Sequence, residues 1–360
     1  MDFLLFAIVA LITPYSIVVL LILTHYKKIQ KTRKNYSYRP TVTIFLPTYN
    51  EEEFIEKKLK NLLSQSYPVK EILVYDCSTD RTPSIIEEYQ KTIPAIKLTK
   101  QRERVGMART LNQAIEQSSG EIFVKTDVDS ITISKNGLTE LVANFADEKI
   151  GAVTGTRINR NGIERYYNKF MNLIQIAESN IDSVLIGHSS SLLAFRRKLV
   201  EEVSLFSMAE DTEEMVIIRR KGYRTIVDPS VISEEVIPEE FKKRREQKDR
   251  RAEGIIRVLL KNKQMIFHPK YGKYGLVVLP LELFILIISP FLLPVLFSLL
   301  IIETYLYYPT WGFIFLAGLI VPAFIKKTPL NAIIDVQISG IVATLRSILK
   351  RDNPLWDKVR

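Results

Sequence analysis

The chain has 360 residues, with 50 Lys and Arg against 40 Asp and Glu, giving a formal net charge of +10. Its 47% hydrophobic content, with 17 Phe and 16 Tyr, excludes an intrinsically disordered chain. A single cysteine, Cys77, excludes a disulfide framework and a cysteine zinc site, and 14 Gly with 16 Pro exclude collagen-like and low-complexity sequence.

The first predicted element is apolar. Phe3 to Leu23 carries no charge, and at about 1.5 Å per residue such a helix crosses a hydrocarbon core of about 30 Å. No basic residue precedes it and no small-residue cleavage site follows, so a retained anchor is expected rather than a signal peptide. Lys27, Lys28, Lys31, Arg33 and Lys34 follow directly and place the next segment in the cytoplasm.

Residues 41–157 then alternate between short apolar strands and helical stretches. Strands are expected at 41–46, 71–75, 95–98, 121–125 and 151–155, with a helix capped by Asn50 and another over 106–117. This alternation predicts an α/β domain with a mostly parallel sheet, whose ligands bind beyond the carboxyl ends of the strands. The loops at 47–52, 76–82 and 126–130 should therefore converge. They are rich in acid and side-chain oxygen: Pro47-Thr-Tyr-Asn-Glu51, Asp76-Cys-Ser-Thr-Asp80 and Thr126-Asp127-Val-Asp129-Ser130. Carboxylates at a strand end suit a hard cation, Mg²⁺ or Mn²⁺, holding a diphosphate. Asp127 and Asp129 alternate along an extended chain, so one of them should face the ligand more squarely.

Further on, Glu210-Asp211 opens a helical stretch, a position that suits a general base and equally a helix cap. Gln247 and Arg250, three apart, share a helix face, and the planar fork of Arg suits phosphate. The basic run Lys242–Arg251 lacks the interleaved aromatics of a nucleic-acid surface. It leads into Ala252, Ile255, Ile256, Leu259 and Leu260, an apolar stripe expected to lie on anionic lipid. Leu276 to Ile302 is a second apolar block with Glu282 its only charge, and Trp311 to Ile325 a third, closed by Lys326 and Lys327. Three spans are expected, with the N-terminus outside and residues 27–275 inside. Ile334, Ile338, Ile341, Leu345 and Ile348 recur at helical spacing, predicting an amphipathic helix over 330–349 on the membrane surface; packing on the soluble domain is the alternative.

Taken together, residues 41–251 resemble the family 2 glycosyltransferases. The resemblance rests on Pro47-Thr-Tyr-Asn-Glu-Glu52, Asp76-Cys-Ser-Thr-Asp80, Gly106-Met-Ala-Arg-Thr-Leu-Asn112, Gly120-Glu-Ile, Asp127-Val-Asp129, Gly187-His-Ser-Ser-Ser191, Phe195-Arg-Arg197, Glu210-Asp211 and Gln247-x-x-Arg250, all in the family's order. The flanking apolar helices and Trp356-Asp-Lys-Val-Arg360 resemble a minimal version of its membrane-bound, cellulose-synthase-like branch.

The resemblance implies a glycosyltransferase-A, Rossmann-like α/β domain. The implied order is a membrane helix at 1–26, the cytoplasmic catalytic domain at 27–237, basic amphipathic helices at 238–275, a transmembrane hairpin at 276–327 and an amphipathic helix with its tail at 328–360. It implies that Thr48, Tyr49, Asn50, Glu52, Asp76, Arg104, Asp127, Gln247 and Arg250 bind the donor, with Asp76 on the nucleobase. Asp129 with Asp127 would hold Mg²⁺ or Mn²⁺, Asp211 would be the base, and His188, Ser189 and Glu210 would meet the acceptor. The expected partners are a UDP- or GDP-linked sugar, a lipid-linked acceptor and the cell membrane, with no nucleic acid and no obligate protein partner. Arg251 stands where polymerising members carry an acceptor-stacking Trp, which favours transfer of a single hexose, mannose or glucose type, with inversion. A processive polysaccharide synthase, a polyprenyl-phosphate sugar synthase, an inactive scaffold and a transporter are the competing readings.

Overall fold

The computed structural model describes residues 2–26, 34–159, 164–187, 192–235, 241–307 and 329–349. In chain order its elements are α1 (Asp2–His25), β1 (Val42–Thr48), α2 (Ile55–Leu63), β2 (Glu71–Asp76), α3 (Thr82–Thr92), β3 (Ile96–Lys100), α4 (Met107–Gln117), β4 (Ile122–Lys125), β5 (Ser130–Thr132), α5 (Gly137–Ala143), β6 (Ile150–Ile158), α6 (Glu164–Ile181), β7 (Leu193–Arg196), α7 (Glu210–Arg220), β8 (Arg224–Glu235) and α8 (Phe241–Lys261). A helical run follows, wide-turned (π-helical) at Tyr274–Val278, then α9 (Leu279–Leu283), π-helical again at Phe284–Ile288, and α10 (Ser289–Tyr307). The last described helix is α11 (Pro329–Ile348).

The strands form one sheet in the order β3-β2-β1-β4-β7-β6-β8-β5. β3, β2, β1 and β4 run parallel, and the strand order turns back between β1 and β4, the switch point where α/β sheets open a binding crevice. The other half is mixed rather than mostly parallel: β7 is antiparallel to both β4 and β6, and β5 to β8. β7 runs antiparallel to its neighbour β6 although α6 lies between the two in the chain. The helix expected after Asn50 also starts later, at Ile55, and Asn50 adopts φ 52° in the preceding turn.

Period-two alternation gives each strand two buried faces. Val42, Ile44 and Leu46 pack under Ile55, Leu59 and Ile86 on one side. On the other, Tyr75, Phe45, Phe123 and Phe195 make a ring ladder across β2, β1, β4 and β7, with centroids 5.9, 6.0 and 5.2 Å apart. This ladder lies beneath α4 and α7, in one cluster with Leu111 and Met215. Burying each aromatic contributes about 1.5–3 kcal/mol, which stiffens the strand ends that carry the site.

The apolar stripe on α8 faces protein rather than lipid. Ile256 and Leu259 are buried, and Leu259 packs with Leu185, Val216, Met265 and Tyr274. The spacing shows that a stripe exists but not what covers it. α1 packs on α6, through Val18 and Ile22 against Ile174 and Ala177, and on the start of α10, through a 2.6 Å hydrogen bond between Tyr15 Oη and Ser289 Oγ.

Each π-helical turn precedes a proline. Pro280 and Pro290 have no N–H to offer the carbonyls of Leu276 and Leu286 four residues earlier, and the helix widens there. α11 crosses at the second of these places: a Cβ on Gly340 would lie 2.5 Å from Pro290 Cγ and 3.2 Å from the Leu286 carbonyl. Among the described residues, Tyr274–Glu303 is the helix long and apolar enough to cross a bilayer. The expected span at 311–325 and the tail after 349 lie outside the described residues.

Candidate active site

The first two loops are sewn to each other. Asn50 N–H donates to Ser78 Oγ (2.7 Å), Thr79 N–H to Asn50 Oδ1 (2.8 Å), and Arg81 N–H to Glu52 Oε2 (3.1 Å). Asp76 is buried and accepts from Thr48 Oγ1 (2.6 Å) and Ser78 Oγ (2.5 Å). Asp76, Asn50 and Glu52 therefore hold the loops in shape and do not line the cleft, whereas Thr48, Tyr49 and Cys77 do. Arg104 reaches the same wall and lies over the Tyr49 ring at 4.3 Å.

β4 delivers Asp127 and Asp129 to the cleft, and both line it. Behind them sits Lys58, fully buried on α2, whose Nζ donates to Thr126 Oγ1 (2.6 Å) and to the Ser130 carbonyl (2.7 Å). It thus braces the loop on either side of the two carboxylates. Burial pushes its pKa down to about 7, partly offset by the Asp127 charge.

Glu210 and Asp211, at the first turn of α7, form the next wall. Asp211 is ion-paired with Lys125, the last residue of β4, and Lys125 also lies 3.3 Å from the buried Glu214. Burial opposes the Lys125 ammonium, but Asp211, Glu214 and Glu210 outweigh it and hold its pKa well above the ordinary lysine value. Burial raises Glu210 to about 7 and Glu214 to about 8.

α8 closes the cleft with Gln247, Arg250 and Arg251. Burial lowers Arg250 to about 10. Arg251 donates to Glu235 Oε1 at 2.7 Å, and Arg157 pairs with the same carboxylate. The cleft has a volume of about 450 Å³. Its lining combines these acidic and cationic side chains with the apolar Met171, Ile255, Ile285, Leu286 and Val336.

Thr48, Tyr49, Arg104, Asp127, Asp129, Glu210, Asp211, Gln247 and Arg250 thus meet in one cleft. His188 and Ser189 lie outside the described residues. Lys125, Lys58, Arg157 and Glu235 were not singled out from sequence. Strand alternation carries the signal for Lys125, which stands two residues before Asp127 and so shares its side of the chain.

Residues 43–204 match the family model described as Glycosyl transferase family 2. Residues 43–204 thus form a glycosyltransferase domain that matches this family, on a mixed-sheet, glycosyltransferase-A-like α/β fold. The chain is 29% identical over 256 residues, 66% of its length, to the Bacillus subtilis protein named Probable glycosyltransferase YdaM, covering 61% of that relative. It is 29% identical over 237 residues to a poly-beta-1,6-N-acetyl-D-glucosamine synthase of Staphylococcus aureus, covering 61% of this chain and 56% of that one. The chain thus spans about three-fifths of the length of these curated relatives. Among solved structures, the mannosyltransferase PcManGT of Pyrobaculum calidifontis, in complex with GDP-Man and Mn²⁺, matches with a TM-score of 0.79 and 28% identity, over 95% of this chain and 98% of that one.

Proposed function

We propose that this chain is a membrane-integral, inverting glycosyltransferase that moves one hexose from a nucleotide-diphosphate sugar to a lipid-linked acceptor at the cytoplasmic membrane face. The observation that carries this reading is the mixed lining of the cleft: carboxylates and arginines, together with apolar side chains from the helices around Ile285 and Val336. A donor with a charged diphosphate and an acceptor with an apolar tail match those two kinds of lining.

Thr48, Tyr49 and Arg104 take the nucleoside, within the loop that Asp76, Asn50 and Glu52 shape. Gln247 and Arg250 meet the diphosphate. Asp127 and Asp129 suit Mg²⁺ or Mn²⁺, which accepts one or two protein carboxylates and fills its shell with substrate phosphate oxygens. When bound, such a cation offsets charge gathering on the leaving diphosphate. The acceptor oxygen attacks the anomeric carbon, its proton passes to Asp211, and the bond from that carbon to the diphosphate oxygen breaks, with Arg250 facing the departing charge. One displacement inverts the centre. Glu210, with the His188-Ser189 segment, belongs to the acceptor side.

The likeness to a mannosyltransferase in complex with GDP-Man favours a GDP-linked mannose over UDP-sugars. The poly-beta-1,6-N-acetyl-D-glucosamine synthase relative favours a second reading, processive polymerisation. Both are tested by incubating the reconstituted protein with GDP-mannose or a UDP-sugar and a short lipid-linked acceptor, with and without EDTA, then weighing the products and assigning the linkage by NMR. The expected product gains one sugar, inverted, in a reaction lost with EDTA and in Asp129→Ala. A ladder of products would establish the processive reading, and retained configuration would remove Asp211 from its role.

A further inference from the structure

The turn between α8 and the apolar helical run holds its most exposed aromatic ring in a backbone conformation that bulky residues seldom adopt. Phe267 has φ 59° and is 66% exposed. The other non-glycine residue with positive φ, among those described, is Asn50, a type that tolerates it. At Phe267 the surroundings impose the conformation. Met265 is buried in the cluster with Leu185, Val216 and Tyr274, and fixes the turn from below. Phe267 N–H donates to the Gly275 carbonyl at 2.8 Å. A Cβ at residue 275 would lie 2.6 Å from the His268 carbonyl and 2.8 Å from that of Met265, so the glycine lets the turn close on the helix start. Backbone strain of this kind persists where its surroundings over-determine it, and points to use.

The setting of the ring indicates that use. Leu276, next to Gly275, is 47% exposed and opens the helix long enough to cross a bilayer. Lys263, Lys270 and Lys273, within six residues of Phe267 in sequence, are exposed. From Gly254 to Leu281 the chain contains no Asp or Glu. An outward aromatic with exposed lysines close to it in sequence, at the foot of an apolar helix, and with the one acid packed against the turn, Asp182, paired to Arg219, complements an anionic bilayer surface.

We propose that the Phe267 turn is a lipid wedge: the Phe267 ring and Leu276 enter the acyl region while Lys263, Lys270 and Lys273 bind anionic headgroups, fixing the height of the cleft above the bilayer. The proposal rests on the membrane-integral reading and goes beyond it by assigning this turn.

The test uses Phe267→Trp in a chain whose Trp311 and Trp356 are changed to Phe, reconstituted in phosphatidylcholine–phosphatidylglycerol vesicles with and without brominated acyl chains. Val295→Trp in the same background reports on the α10 helix. Emission of the Phe267→Trp variant should fall about twofold or more in brominated lipid, and less when phosphatidylglycerol is omitted or when Lys263, Lys270 and Lys273 are changed to Glu. Quenching of the Val295→Trp variant without quenching of the Phe267→Trp variant would overturn the wedge and leave the membrane reading intact. Quenching of neither would overturn both. As a control on folding, Phe267→Gly relieves the positive φ and should keep or raise the melting temperature. A lowered melting temperature would mean that the ring serves the fold, and would overturn the proposal.

Discussion

Asp211 shares its carboxylate with the Lys125 ammonium, and that ammonium is itself held by the buried Glu214. On the proposed reading of Asp211 as the base, the pair fixes its orientation before substrate arrives, which is how a positioned group gains its advantage over one in solution. Asp211→Asn keeps the shape and removes proton affinity, so turnover should fall about 10²-fold or more while donor affinity, measured by calorimetry, stays within a few-fold. Near-normal turnover would hand the proton to Glu210, which burial has already raised to about 7. Lys58 makes a separate prediction. Its pKa is pushed down to about 7, against about 10.5 in an unfolded chain. Below about 7 both states carry the proton and the full cost of burying an ammonium is present. Between about 7 and 10.5 the unfolded chain binds a proton that the folded one lacks, so stability rises with pH, by about 1.4 kcal/mol per pH unit. Urea melts at about pH 7 and about pH 9 should show the wild type gaining relative to Lys58→Met across that interval; equal gains would place the Lys58 titration elsewhere.

At the scale of elements, the parallel strands β1 to β4 and the loops after them were legible because each strand is a clean apolar run ended by turn residues. The other half was harder to read. β7 is only four residues long, β5 three, and β8 carries Pro229 inside its length, a residue that ordinarily argues against a strand interior. The residues that were missed, Lys125 in the cleft on an apolar strand and Lys58 behind it on a lysine-rich helix, are charged side chains whose buried partners sequence alone does not reveal. The crossing of α11 over the second proline turn gives a prediction at this scale. Gly340→Leu would drive a side chain into Pro290 and the Leu286 carbonyl, and should destabilise the helical layer by about 1–3 kcal/mol. A melting temperature unchanged in detergent would mean that the crossing is looser than described.

For the molecule as a whole, the outward faces of the helices are the part that bears on the proposed membrane setting. On α11 the buried side is small or polar, Ser339, Ala343 and Thr344, while Ile334, Ile338, Leu345 and Ile348 face outward. Leu20 and Leu23 on α1, and Val295 and Ile302 on α10, are exposed in the same way. A belt of outward apolar side chains over an inward polar seam is the reverse of a water-soluble surface and fits hydrocarbon. Sequence periodicity finds the outward stripe of α11, and its contact with lipid belongs to the proposal. It misjudged the α8 stripe, because the same spacing serves a protein neighbour as well as a lipid one.

One wall of the cleft, at Ile285, Leu286 and Val336, belongs to those same helices. On the proposed reading, an acceptor reaching Asp211 past that wall arrives sideways, within the plane of the leaflet, and the protein meets it as molecules per unit of lipid rather than per litre. Reaction rate should therefore follow the mole fraction of acceptor in the bilayer. Adding inert phospholipid at constant bulk acceptor and protein should slow transfer in proportion, while donor hydrolysis without acceptor stays level. A rate indifferent to that dilution would mean that the acceptor comes from water.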